Sequence, residues 1–198
     1  MINSVSRVVY THAKGNLKFH GRRTFACAAR NLSKQQKFLL TRTINAPAYD
    51  VYDVVSNISD YKKFVKYCTE SFVAKKDEET GRPTEAGLTV GFHSYDESLV
   101  CRIECRQDEQ GNYSVVANSL THTLFNALQT HWSIKPHPSR PGATEAILCL
   151  EFQFKSSLYN NVASIFGKSA TELVMKSFEK RIFNLKRQHA KNKTSDVL

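Results

Sequence analysis

"LCLEFQFKSSLYNNVASIFGKSATELVMKSFEKRIFNL", residues 148–185, changes its hydrophobic period partway along. Up to Phe154 the apolar residues fall at every second position. Leu148, Leu150, Phe152 and Phe154 alternate with Cys149, Glu151, Gln153 and Lys155, the pattern of a strand with one buried face. Past Ser156 and Ser157, either of which suits a helix cap, the spacing becomes three and four. Val162, Ile165, Phe166, Ala170, Leu173, Val174, Phe178, Ile182 and Leu185 then form one broad apolar stripe. No proline interrupts it, which predicts a helix from about Leu158 to Gln188. At 1.5 Å per residue such a helix reaches about 45 Å, enough to cross a whole sheet.

The preceding chain supplies that sheet. Residues 68–76 read as a strand, followed by the polar turn "KKDEETGRPT". Leu88, Val90 and Phe92 alternate with Thr89, Gly91 and His93, and Leu99, Cys101, Ile103 and Cys105 alternate with Val100, Arg102, Glu104 and Arg106. "DEQGN" turns the chain into Tyr113, Val115 and Ala117; Thr130, Trp132 and Ile134 alternate next, and "PHPSRPG" closes that strand. Period-two runs joined by short turns predict antiparallel pairing, with one buried and one wet face.

Phe38 to Ile44 reads as a first strand. In "NAPAYDVYDVVSNI" Asn45 is placed to cap a helix, Pro47 suits its first turn, and Asp50 suits the positive end of its dipole. Val51, Val54, Val55 and Ile58 give it a buried stripe. Asp60 or Ser59 then caps a second short helix that turns Tyr61, Phe64 and Val65 inward and leaves Lys62 and Lys63 wet. The order is strand, two short helices, a run of strands and a long helix. It predicts an α+β fold in which a curved antiparallel sheet wraps around the terminal helix, a packing that leaves space between the two.

Charge divides the chain. Nine of its 28 Lys/Arg fall within residues 1–49, which hold no Asp or Glu; the remaining 19 face 18 acids, so residues 50–198 carry a net of only +1. An acid-free, Arg- and Ser/Thr-bearing leader reads as a mitochondrial transit peptide, set against a basic tail that binds something anionic. The expected division is residues 1–37 as transit peptide and leader, 38–188 as the domain, and 189–198 as a polar tail. Cys27, Cys68, Cys101, Cys105 and Cys149 lack CxxC spacing, so reduced thiols are expected, with no disulfide and no metal site.

"VVSNISDYKKFVKYC" (54–68), "LFNALQTHWSIKP" (124–136), "LEFQFKSSLYNNVASIF" (150–166) and "SFEKR" (177–181) resemble, at the matching places, segments of the mitochondrial coenzyme Q-binding proteins. These belong to the START and polyketide-cyclase-like superfamily with its helix-grip fold. The resemblance spans about residues 38–187. The sequence departs from it at Lys66, where members often carry proline, and at Gly167, where bulkier residues are common. The resemblance implies ubiquinone or a late precursor as ligand and no catalytic residue or catalytic cofactor. It further implies a carrier or chaperone role in coenzyme Q biosynthesis and delivery to the respiratory chain. The matching location is the matrix side of the mitochondrial inner membrane, in peripheral contact with the membrane and with biosynthetic or respiratory complexes.

The residues themselves call for an apolar lining, since each CH₂ taken from water is worth about 0.8 kcal/mol. The expected wall comprises Phe64 and Val65 from the helical corner and Leu88, Val90, Phe92, Trp132, Ile134, Leu150, Phe152 and Phe154 from strands. Val162, Phe166 and Leu173 of the helix complete it. The same residues also suit a core in which they pack against one another. Leu124, Phe125 and Leu128 lie where a turn is expected, and form either core cover or a lid that dips into the bilayer. The basic helix end (Lys176, Lys180, Arg181, Lys186, Arg187) suits a solvated face or anionic lipid. Two other classes compete. A cyclase- or dehydrase-like enzyme would draw on His93, His122, His131, Asp96 and Glu97. A ribosome- or RNA-associated module would need a basic face that a net of +1 does not supply; no nucleic-acid partner is expected.

Overall fold

The computed structural model describes residues 34–92, 95–120 and 123–195, and among these not the side chains of Phe92, Tyr95, 160–162 and 193–195. Seven antiparallel strands form one open sheet: β1 (Gln36–Ile44), β2 (Cys68–Lys76), β3 (Pro83–Phe92), β4 (Tyr95–Gln107), β5 (Tyr113–Ser119), β6 (Phe125–Pro136) and β7 (Thr144–Phe154). Their order is β1-β7-β6-β5-β4-β3-β2, so every neighbour is a hairpin partner except β1, which lies beside β7 at one margin. The turns follow local chemistry. Asp108 Oδ1 accepts the backbone N–H groups of Gln110 (2.9 Å) and Asn112 (2.8 Å), and Gly111 takes φ +75° between them.

Between the two margins run α1 (Ala48–Ser56) and a 3-10 helix (Ile58–Lys63). The expected caps are not the ones used. Pro47 occupies the cap position of α1, its carbonyl accepting Val51 N–H at 3.2 Å. The Asn45 carbonyl instead accepts the Lys186 ammonium at 3.0 Å. Asp60 pairs with Lys63 (2.6 Å) and Arg181 (3.3 Å), and Ser59 donates to Asn57 at 2.8 Å, so neither caps the second helix. The Tyr61 hydroxyl, donating to the Val55 carbonyl, ties the two helices into one corner.

After β7, Ser156 Oγ accepts Leu158 N–H at 3.3 Å and opens a 3-10 turn, Ser157–Tyr159. The long helix α2 then runs Asn160–Ser195, into the segment expected as a polar tail. It lies over β1 and β7 and touches α1. Met175, Phe178 and Ile182 are buried beneath it, whereas Ile165, expected on the apolar stripe, points outward at 68% exposure. Two apolar clusters result. The larger joins α1 to the sheet through Val51, Val55, Trp132, Ile134, Leu148 and Phe178. The smaller is aromatic: Phe38, Phe125, Phe152 and Phe154 sit under the start of α2 with Ala163.

Gly167 permits that second packing. A Cβ there would fall 2.1, 2.4 and 2.7 Å from three ring carbons of Phe38. The ring stacks on Phe152 at 5.9 Å. A glycine on the helix and a phenylalanine on β1 thus occupy the room that a bulkier helix residue would take.

Candidate functional site

Because α2 rests over β1 and β7, the inner faces of β3–β6 are left uncovered near the middle of the sheet. A cavity of ≈ 700 Å³ fills that space. Its deep wall is Ile103, Val115, Trp132, Leu148 and Phe178, all buried. Pleat alternation puts the four strand side chains on one face, and Trp132 meets Phe178 of α2 with ring centroids 5.0 Å apart. Ala86, Cys101 and Ala117 keep the sheet wall thin, so the void persists between larger neighbours.

The mouth lies where the turn after the 3-10 helix, the end of β3 and the first turns of α2 meet. Lys66, Tyr67, Val90, Phe166 and Ser169 line it and reach solvent. The Cys68 N–H donates to the Val65 carbonyl at 3.1 Å, and Tyr67 takes φ +66°. With Lys66 at negative φ this is a type II turn, whose second position is one that proline favours. The departure at Lys66 therefore keeps the turn and adds an ammonium at the lip, 4.8 Å from the centroid of the Tyr67 ring.

Of the residues expected in the wall, Val65, Leu88, Val90, Trp132, Leu150, Phe166 and Leu173 face the cavity. The side chains of Phe92 and Val162 lie outside the described residues. Phe64, Ile134, Phe152 and Phe154 are displaced from the wall. Phe64 stands one layer behind, its ring edge-on to Phe178 at 5.0 Å and under the Arg181 guanidinium at 5.6 Å. Ile134 is fully buried in the cluster beneath α1. Phe152 and Phe154 pack against Phe125 and Phe166 under the first turns of α2, where helix rather than void meets the sheet.

Leu124, Phe125 and Leu128 all line the cavity. They are not a loop, however: β6 starts at Phe125, whose ring is buried, and Leu124 is tied to the sheet by the Lys155 N–H donating to its carbonyl at 3.0 Å. Sequence reasoning also left Tyr61, Tyr67 and Glu97 out of the wall. Glu97 was legible, since it stands in phase with Leu99, Cys101 and Ile103.

Chemistry in the wall is sparse. Burial raises the Tyr61 hydroxyl above the usual tyrosine range and pushes the Cys101 thiol up to about 11. Thr171 Oγ1 is spent on the Gly167 carbonyl at 2.6 Å. Cys68, Cys101, Cys105 and Cys149 are free thiols, and no group of three metal-ligating side chains occurs among the described residues. Of the side chains considered for an enzyme, His131 and Asp96 are exposed and only Glu97 faces the cavity; His93 and His122 lie outside the described residues. No helix among the described residues is long and apolar enough to cross a membrane.

Residues 44–179 match the family described as polyketide cyclase / dehydrase and lipid transport. Over 167 residues the chain is 50% identical to the mitochondrial coenzyme Q-binding protein COQ10 of Eremothecium gossypii, covering 84% of this chain and 82% of that one. Its identity to the protein of the same name from Saccharomyces cerevisiae is 46% over 154 residues, 78% of this chain and 74% of the other. Among solved structures, human STARD10 superposes with TM-score 0.63 at 17% identity, covering 86% of this chain and 72% of that one. A START superfamily protein from Mycobacterium smegmatis gives 0.62 at 16%, covering 75% and 98%. These two likenesses establish the α+β helix-grip fold.

Proposed function

We propose that this chain, which belongs to the polyketide cyclase/dehydrase and lipid transport family and within it to the mitochondrial coenzyme Q-binding proteins, holds coenzyme Q or a late precursor in its cavity and carries it unchanged. The observation that carries this reading is the cavity itself: ≈ 700 Å³, walled almost entirely by apolar side chains, under a helix that shields it from water. That volume falls within the roughly 300–1,000 Å³ of sites that enclose small ligands. Each isoprenoid carbon sheltered there contributes on the order of 0.8 kcal/mol. The wall proposed to touch ligand is Val65, Leu88, Val90, Trp132, Leu150, Phe166 and Leu173, with Leu124, Phe125 and Leu128 forming one side of the mouth. Nothing in this wall pairs a nucleophile with a base, and the carrier works without a catalytic cofactor.

Place and partners follow from the same reading. Residues 1–37 serve as transit peptide and leader, and the domain works on the matrix face of the inner membrane, supporting coenzyme Q biosynthesis and delivery to respiratory complexes. Contact with the bilayer falls to Leu158 and Ile165, 85% and 68% exposed where α2 begins beside the mouth.

The test is to recover the mature protein from mitochondria and quantify extracted lipid by mass spectrometry, beside an Ala117→Phe variant that fills the cavity. Near-stoichiometric quinone in the parent and at least a tenfold loss in a folded variant are expected. A parent free of quinone or precursor after gentle purification, or a folded variant with undiminished load, overturns the reading.

A further inference from the structure

Glu97 is the exception in an apolar wall. The β4 pleat turns it inward with Leu99 and Cys101, and it is only 8% exposed. Its Oε1 accepts the backbone N–H of Thr123 at 3.2 Å and, more distantly, that of Leu124 at 3.4 Å, while Oε2 accepts the Thr123 hydroxyl. These bonds hold the carboxylate between Val90, its register partner on β3, and Leu124 at the mouth end of the cavity. A latch for the β5–β6 connection needs no place in a ligand cavity; a wall that otherwise excludes buried charge, yet keeps this one, marks where a polar part of the ligand lies.

Both oxygens receive donors, so the group serves there as an acceptor, and a carboxylate oxygen accepts from more than one donor. The ring of a ubiquinone offers only acceptors: two carbonyl and two methoxy oxygens. Set against Glu97, acceptor meets acceptor and the quinone oxygen gains no hydrogen bond, whereas a carboxylate already holding protein donors can still accept one more. The reduced ring, or a phenolic precursor, offers an O–H instead. We infer that Glu97 forms the headgroup subsite and that this subsite takes a hydroxyl-bearing ring, quinol or phenol, in preference to the oxidised quinone. The inference rests on the carrier reading above and adds to it the chemical form of the cargo. Hydrogen bonds to a charged group, made or left unmade in a buried site, discriminate by about ten- to a hundredfold.

The experiment is anaerobic isothermal titration of the full chain with four decyl-tailed probes: ubiquinone, ubiquinol, the bis-O-methyl ether of that ubiquinol, and a monophenol of the same ring pattern. The quinol and the phenol are expected to bind at least tenfold more tightly than the quinone. The methyl ether, reduced but without a donor, is expected to bind like the quinone. In Glu97→Gln, whose amide both donates and accepts, the preference is expected to fall within about twofold. Equal binding of quinol and quinone by the parent overturns the inference and leaves the carrier reading standing. Binding of the ether as tightly as the quinol also overturns it, because shape rather than the donor then decides. Binding of the phenol no better than the ether confines the subsite to the quinol and overturns the precursor half. Failure to bind any probe overturns the carrier reading, and the inference with it. Should Glu97→Gln not fold, the four-probe series on the parent decides alone.

Discussion

Replacing Gly167 by alanine sets two known effects against each other at a single methyl group. On an unobstructed helix, glycine to alanine stabilises by about 1 kcal/mol. Here the new Cβ would lie between 2.1 and 2.7 Å from three carbons of the Phe38 ring, far inside contact distance. Phe38 has little freedom to retreat, being buried and stacked on Phe152. Overpacking of this kind costs about 1–3 kcal/mol. The net expectation is a loss of about 0–2 kcal/mol. Phe38→Ala removes the obstacle at its own cost of about 3–5 kcal/mol. In that background Gly167→Ala should stabilise by about 1 kcal/mol, so the sign of its effect inverts. Urea unfolding followed by the fluorescence of Trp132, the one tryptophan, gives all four corners of the double-mutant cycle. A coupling of about 1–3 kcal/mol is expected. Refutation is simple: Gly167→Ala that stabilises the parent by about 1 kcal/mol, with no coupling to position 38, would show that the helix does not bear on that ring.

Lys66→Pro should raise stability by about 0.4–1 kcal/mol in the same assay, because the second position of the Val65–Cys68 turn suits proline and the unfolded chain loses freedom; a loss would exclude the type II geometry. Cys101, its thiol pushed up to about 11 by burial, should react with maleimide on the order of a hundredfold more slowly than a free thiol at pH 7, and more slowly again once the cavity is loaded. Peptide mapping by mass spectrometry reads this, and labelling at the free-thiol rate would remove Cys101 from the wall. Lys37 lies 2.6 Å from Glu151, and its hydrogen bond holds that carboxyl below the usual 4.5. The folded value being lowered, the pair's contribution is fully present above pH 4.5 and is lost as pH falls through the folded value. Glu151→Gln should cost a few tenths of a kcal/mol near pH 7 and nothing near pH 2, since both partners are partly exposed. An equal cost at both pH values would contradict the assignment.

The alternation of Leu148 to Phe154 and the helical spacing after it placed β7 and α2 correctly, because period alone distinguishes a pleat from a helix. Period does not say where along its length a strand meets the helix and where it meets the void. Phe152 and Phe154 share a face with Leu150, yet only Leu150 reaches the cavity, because α2 crosses the sheet at the other two. "LFNAL" was misleading for a related reason. An apolar stretch ahead of a strand suggested a connection, whereas β6 already begins at Phe125, its pairing with Phe154 followed by a register shift that hides the alternation. Asn45 had the side chain of a cap, but Pro47 lies closer to the first helical residue, and the Asn45 carbonyl is taken by Lys186 from across the fold. Glu97 stands outside the wall expected from sequence because a carboxylate in a strand ordinarily turns to water.

The two outermost strands, β1 and β2, never bond to each other; a corner of two short helices spans the interval between them. Had the strands closed into a hoop, admitting a bulky lipid would mean tearing a ladder of hydrogen bonds. With a seam, the hollow can swell by letting the helical corner, which the Tyr61 hydroxyl makes one unit, ride outward against side-chain packing and the bonds of Ser71 on β2 to Lys62 and Ser59, while every strand pair stays intact. Loading and unloading then become a matter of breathing rather than unfolding, and amide protons of the corner should exchange ahead of those along β6 and β7.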